Sequence, residues 1–305
     1  MTASRMQHQP PQRADHSSGS TVYLLLLLQS LMASGTHIVA KVVVHDVEPF
    51  TLTLTRSVVS AVTVGLILII RGRRVRIQRE DYALIFWLSV LAIPINQFCF
   101  LMGMSYTLPS NAALLYGTTP IVVLLFSRWL LHERLTRRKT AGVVVGFVGV
   151  AIVIFERGVN VSAGFVVGNL VIFGGVLAWS LYTVFGKRLI VKYGALEASC
   201  LTMIVGTILF IPIGIVPATK FPFDTLSTSN WLEILYLGII TSVFAYYLWY
   251  YALGRIEASK VALFAYLQPI LTTILAVLLL GQDITFAFVL GGSIAIGGVI
   301  MAQFG

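Results

Sequence analysis

The sequence predicts an all-α integral membrane protein with ten transmembrane helices, built as two inverted five-helix repeats. Three observations lead there. Of 305 residues, 57% are hydrophobic and only 11% are charged, and the mean hydropathy is +0.90; a soluble domain of this length carries about a quarter charged residues. Apolar runs long enough for a bilayer core, which asks for about 20 residues per helix, recur along the chain. The fourth and fifth runs also resemble the ninth and tenth at a constant, ungapped spacing.

The elements follow in chain order. Residues 1–20 are polar, rich in Gln, Ser and His, and lack an apolar face; they are expected to form a disordered cytoplasmic tail. The Leu24–Leu28 run resembles a signal-peptide core, but the apolar stretch continues to about Val44 without a small-residue cleavage site, so it reads as the first span. Spans are expected at 22–44, 50–70, 83–105, 109–131, 140–156, 165–187, 195–216, 231–252, 259–280 and 284–303. Most connections are short, which makes consecutive helices antiparallel neighbours and leaves no room for a soluble catalytic domain. The first repeat covers 21–156 and the second 157–305.

Orientation comes from Lys and Arg, which favour cytoplasmic loops. The second-to-third loop carries Arg71, Arg73, Arg74, Arg76 and Arg79, the fourth-to-fifth Arg134, Arg137, Arg138 and Lys139, and the sixth-to-seventh Lys187, Arg188 and Lys192. The other side has little beyond Arg157 and Lys220, so both termini are expected in the cytoplasm. The net charge of +9 is thereby a matter of topology and does not call for nucleic acid as a partner. The partners expected are the lipid bilayer and a small solute. Cys99 and Cys200 sit inside apolar stretches and read as small buried hydrophobes; no metal or cofactor is expected.

The repeat aligns Ser110–Val150 with Ser259–Val299. Pro120 meets Pro269, Thr136 meets Thr285, Gly142 meets Gly291 and Gly149 meets Gly298. Five spans per copy is an odd number, so the second copy must sit upside down, the plan of many secondary transporters. Small-residue faces, Gly142, Gly146 and Gly149 in the fifth span and Gly291, Gly292, Gly297 and Gly298 in the tenth, let helices approach closely; they would join either the two halves or two copies of the chain.

The repeat, Lys41 and Arg56 in the first half, and the segment LQPILTTILAVLLLGQDIT from Leu267 to Thr285 resemble the drug/metabolite transporter superfamily, specifically its EamA type. The resemblance covers the chain past residue 20. In that family a P…LLxGE pattern closes the fourth and ninth helices. Here Pro120 is followed by His132-Glu133, without the Gly, and Pro269 by Gly281-Gln282, with Gln in place of Glu. The resemblance implies a ten-helix exporter or exchanger of small metabolites, often amino acids. The expected location is the plasma (inner) membrane of a prokaryote.

Candidate site residues are the polar groups at membrane depth, since a buried amide or charge without a partner is costly there. Arg56, with Lys41 and His37 nearby, offers positive charge to an anionic group; the alternative is that these cations serve helix ends and headgroups. Asn96, Gln97 and Gln268 must face protein or a wet cavity. Tyr116 and Tyr266, at nearly matching repeat positions, are expected to line that cavity with Trp179, Tyr182 and Tyr246. Pro120 and Pro269 are expected to kink their helices in mid-span and act as hinges. No carboxylate stands plainly at mid-depth, and His37 is the one weak candidate for proton coupling, so facilitated diffusion or exchange is expected. An enzyme is disfavoured, because His132-Glu133 lacks a second His four residues on and no paired acids or phosphate loop are present. The rival readings are a carrier of another small organic anion such as a sugar phosphate, and a non-transporting scaffold, which would lack a central polar cavity.

Overall fold

The computed structural model describes residues 18–304, apart from 73–74, 108–111, 113–114, 157–162 and 281–284. The described residues form helical rods and no strand. In chain order they are α1 (Ser18–Asp46), α2 (Pro49–Ile70), α3 (Arg79–Tyr106), α4 (Thr119–Leu130), α5 (Arg137–Glu156), α6 (Ala163–Tyr193), α7 (Ala195–Lys220), α8 (Thr228–Leu253), α9 (Ala258–Ala262 continuing through a tight turn to Leu267–Leu280) and α10 (Phe286–Gln303). Eight of them are long and apolar enough to cross a membrane, and Thr119–Leu130 is a shorter apolar helix. Large apolar side chains such as Leu66, Ile69, Trp129, Leu170 and Val289 point away from the bundle, as a lipid-facing surface requires. Most of the tail expected over 1–20 lies outside the described residues.

The loops rich in Lys and Arg come together at one end of the bundle, here termed the basic face. Lys192 pairs there with Glu80 and Asp81, and the Tyr193 hydroxyl donates to Asp81. Tyr23 at the start of α1 meets Gln303 at the end of α10, which in turn donates to the Lys260 carbonyl. Both described chain ends therefore lie on the basic face. At the opposite end Asn230 donates to Asp46 at 2.8 Å.

The glycine faces of α5 and α10 are used inside the chain. A Cβ on Gly142 would stand 2.7 Å from the Gly298 carbonyl oxygen, and one on Gly149 2.6 Å from that of Gly291. Only hydrogen fits at these crossings, and the two helices pack backbone against backbone.

Among the described residues, four rods are not regular α-helices, and all four interruptions include residues that are buried in the bundle. The third widens into a π-helix over Leu91–Gln97, around Pro94. The eighth does so over Tyr236–Ala245. The ninth tightens to a 3₁₀ turn over Leu263–Tyr266 before the α-helix resumes at Leu267. In the fourth, a turn at Gly117-Thr118 precedes the helix that starts at Thr119. Pro120 thus sits differently from the expectation of a mid-helix kink, whereas Pro269 stands in mid-rod, just after the 3₁₀ turn of α9. Pro120 occupies the first turn of Thr119–Leu130, and Pro269 the first turn of Leu267–Leu280. A residue that opens a helix after a break has no helical acceptor for its N–H, so Pro120 costs no hydrogen bond. Pro269 follows a tightened turn within one continuous rod.

Candidate solute-binding site

Between the middles of these rods lies a cavity of about 90 Å³, well above the ~10–15 Å³ that one water needs. It is walled by one face of α1 (Gln29, Ala33, Thr36 and His37), by Arg56 of α2, and by Asn96, Gln97 and Phe100 of α3; Tyr116, Trp179 of α6, Thr241, Ala245 and Tyr246 of α8, and Gln268 of α9 complete it. The α1 residues follow i, i+4, i+7, i+8 spacing, which places them on one stripe of a helix.

Arg56 sits two turns into α2 and is only 3% exposed. One terminal nitrogen, Nη2, donates to the Ser242 hydroxyl at 2.8 Å, the Leu237 carbonyl at 3.3 Å and the Thr241 hydroxyl at 3.5 Å. The Thr241 and Ser242 hydroxyls also donate to the Leu237 carbonyl. The π-helical turn of α8 is what brings this carbonyl and both hydroxyls to one spot, a recurrent use of such turns. The guanidinium is therefore held from one side; Arg56 lines the cavity, and its buried Nε–H has no partner. Among the described residues no carboxylate forms an ion pair with Arg56.

Asn96 is the opposite case. Its amide nitrogen donates to the Tyr116 hydroxyl at 3.0 Å and the Gly175 carbonyl at 2.9 Å, and its oxygen accepts from the Tyr246 hydroxyl at 2.9 Å. It is saturated by protein groups and fixes two cavity tyrosines. His37 Nε2 faces Gln268 Oε1 at 3.4 Å, and its ring packs edge-on against Phe100 and Tyr116 at 5.4 and 5.7 Å. Trp179 stands edge-on to Tyr246 at 4.9 Å. The Gln97 amide nitrogen reaches the Met203 sulfur at 4.0 Å, and the side chain also hydrogen-bonds Tyr246.

Of the residues expected from sequence, His37, Arg56, Asn96, Gln97, Tyr116, Trp179, Tyr246 and Gln268 meet around this cavity. Three do not. Lys41 donates to the Met104 and Thr107 carbonyls, both at 3.0 Å, and so caps the end of α3, where the helix presents unpaired carbonyls and a partial negative charge. Tyr266 turns to α5, packs on Gly146 and donates to the Val143 carbonyl at 2.7 Å. Tyr182 lies deeper, stacked on Tyr250 at 4.8 Å with its hydroxyl on Thr202. Sequence reasoning missed Gln29, Thr36 and Thr241. Gln29 carried the signal that singled out the other amides, a polar side chain within an apolar run.

A second polar cluster lies on the basic face. Glu133 accepts from the Ala258 and Ser259 backbone N–H groups and from the Ser259 hydroxyl, capping the first turn of α9. Lys139, buried at 1% exposure, pairs with Glu257 at 2.5 Å and lies 4.0 Å from Glu133. Lys187 donates to the Ile256 carbonyl at 3.0 Å and lies 3.9 Å from Glu133.

Comparison with known proteins decides the family. The model of the EamA-like transporter family matches twice, over residues 20–155 and 166–304. The chain belongs to the EamA-like transporter family. An uncharacterized transporter of Archaeoglobus fulgidus is 30% identical over 288 residues, covering 92% of this chain and 97% of that protein. The uncharacterized transporter YyaM of Bacillus subtilis is 28% identical over 92% of this chain and 93% of its own. A Streptantibioticus cattleyicolor protein named "Probable terminal-alkyne amino-acid exporter" is 27% identical over 63% of each chain. A solved crystal structure, 22% identical, matches the fold with a TM-score of 0.78 over 93% of this chain and 98% of the other. This family member is thus an integral membrane transporter by fold and kinship.

Proposed function

We propose that this transporter moves a small organic metabolite, an amino acid or a related compound, by export or exchange, through alternating access of two inverted five-helix halves. The observation that carries the reading is Arg56: a buried cation on a polar cavity, anchored by neutral groups, with its Nε–H unpartnered. A buried charge is expensive unless something compensates it, and a solute carboxylate is the compensation this geometry leaves open. The relative named as an amino-acid exporter supports the same class. Lys41 is engaged at a helix end, which leaves Arg56 as the cation on the cavity and suits one carboxylate better than the double charge of a sugar phosphate.

Two features support inverted halves. The family model matches each half separately. The α5–α10 contact is also crossed: Gly142 meets Gly298, while its repeat counterpart Gly291 meets Gly149, as a pseudo-two-fold axis in the membrane plane demands. With basic loops cytoplasmic, both chain ends lie in the cytoplasm. Pro120, opening a segment after a break in its rod, and Pro269, just after the 3₁₀ turn of α9, are natural hinges for the exchange. The test is counterflow in liposomes holding the purified protein, with labelled amino acids and sugar phosphates. Saturable accumulation of amino acids is expected; accumulation of sugar phosphates alone, or of neither class by folded protein, contradicts the proposal.

A further inference from the structure

Among the described residues, seven buried side-chain polar atoms lack a hydrogen-bond partner, and four of them are on residues lining this cavity: Gln29 Oε1, His37 Nδ1, Arg56 Nε and Gln97 Oε1. Unmade hydrogen bonds of buried groups are costly and therefore rare. Their concentration on the residues around one space leaves these groups to a partner from outside the chain. Their chemistry is also uneven. Arg56 Nε–H is a cationic donor. The amide oxygens of Gln29 and Gln97 are acceptors. His37 presents Nε2 to the Gln268 amide oxygen at 3.4 Å, the arrangement in which Nε2 carries the hydrogen, and Nδ1 is then an acceptor as well. One cationic donor and three neutral acceptors thus sit on residues around the same space, and among the described residues no Asp or Glu lines it.

We infer that Gln29, Gln97 and His37 form the half of the site that reads a solute ammonium group, opposite Arg56, so that the cavity selects α-amino carboxylates over α-hydroxy carboxylates of the same shape. This rests on the solute-site reading above and assigns its specificity. A carboxylate satisfies the Arg56 donor. An α-ammonium group carries three N–H donors, one for each free acceptor, whereas an α-hydroxyl carries one. A hydroxy acid therefore leaves buried acceptors unpaired, a mismatch that sites built to hydrogen-bond reject strongly. Because the acceptors are neutral, an amine lacking a carboxylate gains no ion pair and meets the Arg56 charge unscreened.

The test uses counterflow of the full chain in liposomes with matched pairs: alanine and lactate, leucine and 2-hydroxyisocaproate, phenylalanine and phenyllactate. The expected result is that the transported amino acid of a pair outcompetes its hydroxy acid by about tenfold or more. Gln29→Met and Gln97→Met, similar in volume and without an acceptor, should each reduce that ratio to within about threefold. Gln97→Glu restores an acceptor and should keep the preference for the ammonium. A purely structural role of these glutamines lowers both fluxes and leaves the ratio alone. An unchanged ratio in both Met variants, with amino acids still transported, would overturn the inference while the solute-site reading stands. Equal transport of both members of each pair by the unsubstituted chain would overturn it too. Flux of none of the six compounds would overturn both.

Discussion

Two buried polar clusters occupy this bundle, and they are finished to different degrees. On the basic face Glu133, Lys139, Lys187 and Glu257 bring two acids and two bases together, and Glu133 spends both oxygens on the start of α9. On the residues around the cavity, one cationic donor and three acceptors lack a protein partner. The first cluster is complete without a ligand and holds loops together. The second, on the proposed reading, is completed by the solute. Burial of polar residues alone therefore does not distinguish a clamp from a site; the hydrogen bonds left unmade do.

If the basic-face cluster is a clamp, damage to it is read in stability. Glu133→Ala uncaps α9 and leaves Lys139 and Lys187 with less compensation, and is expected to cost about 3 kcal/mol, seen as a clear drop in melting temperature in detergent. Unchanged melting would assign these charges to something other than holding the fold. Asn96 sharpens the contrast from within the cavity, because it lines the space yet is saturated by Tyr116, Tyr246 and Gly175. Asn96→Leu releases both tyrosines, and solute affinity should fall about tenfold, measured as the half-saturating concentration in counterflow. An affinity that stays put would mean the tyrosines need no such positioning. The smallest effect is expected at Lys41, paired and off the cavity. Lys41→Met should lose about 1 kcal/mol of stability through the uncapped end of α3 and leave solute affinity within about threefold; abolished binding would return this lysine to the site.

Much of the fold was legible because lipid imposes a coarse rule: long apolar helices, with their charges at the ends. The sixth span was read to residue 187, whereas α6 runs to Tyr193, since the charged turns beyond Lys187 extend the rod into the polar layer. Pro120 departs from the sequence expectation for a physical reason. A proline within an apolar run looks like an interior kink, and only tertiary packing decides whether the chain has already broken, as at Gly117-Thr118; Pro269 does stand inside a continuous rod. Tyr266 failed by one residue. The repeat spacing places Ala265, not Tyr266, opposite Tyr116, and one residue turns a helix by about 100°, enough to swing the ring from the cavity to α5. Lys41 shared a face with His37 as expected, but spacing fixes direction and not which atoms lie within reach. Gln29 carries the same polar signal, directly after five consecutive leucines.

The central claim is that the cavity beside Arg56 is where the solute binds, and equilibrium binding tests it most directly. Purified protein and its Arg56→Gln variant, matched in melting temperature, would be titrated in detergent with the amino acid that the liposome assay identifies. Saturable binding by the unsubstituted chain is expected, with a loss of about 100-fold or more in the variant, the scale seen when one partner of a buried charge pair is removed. Equal affinity in both proteins would contradict it and place the solute elsewhere in the bundle.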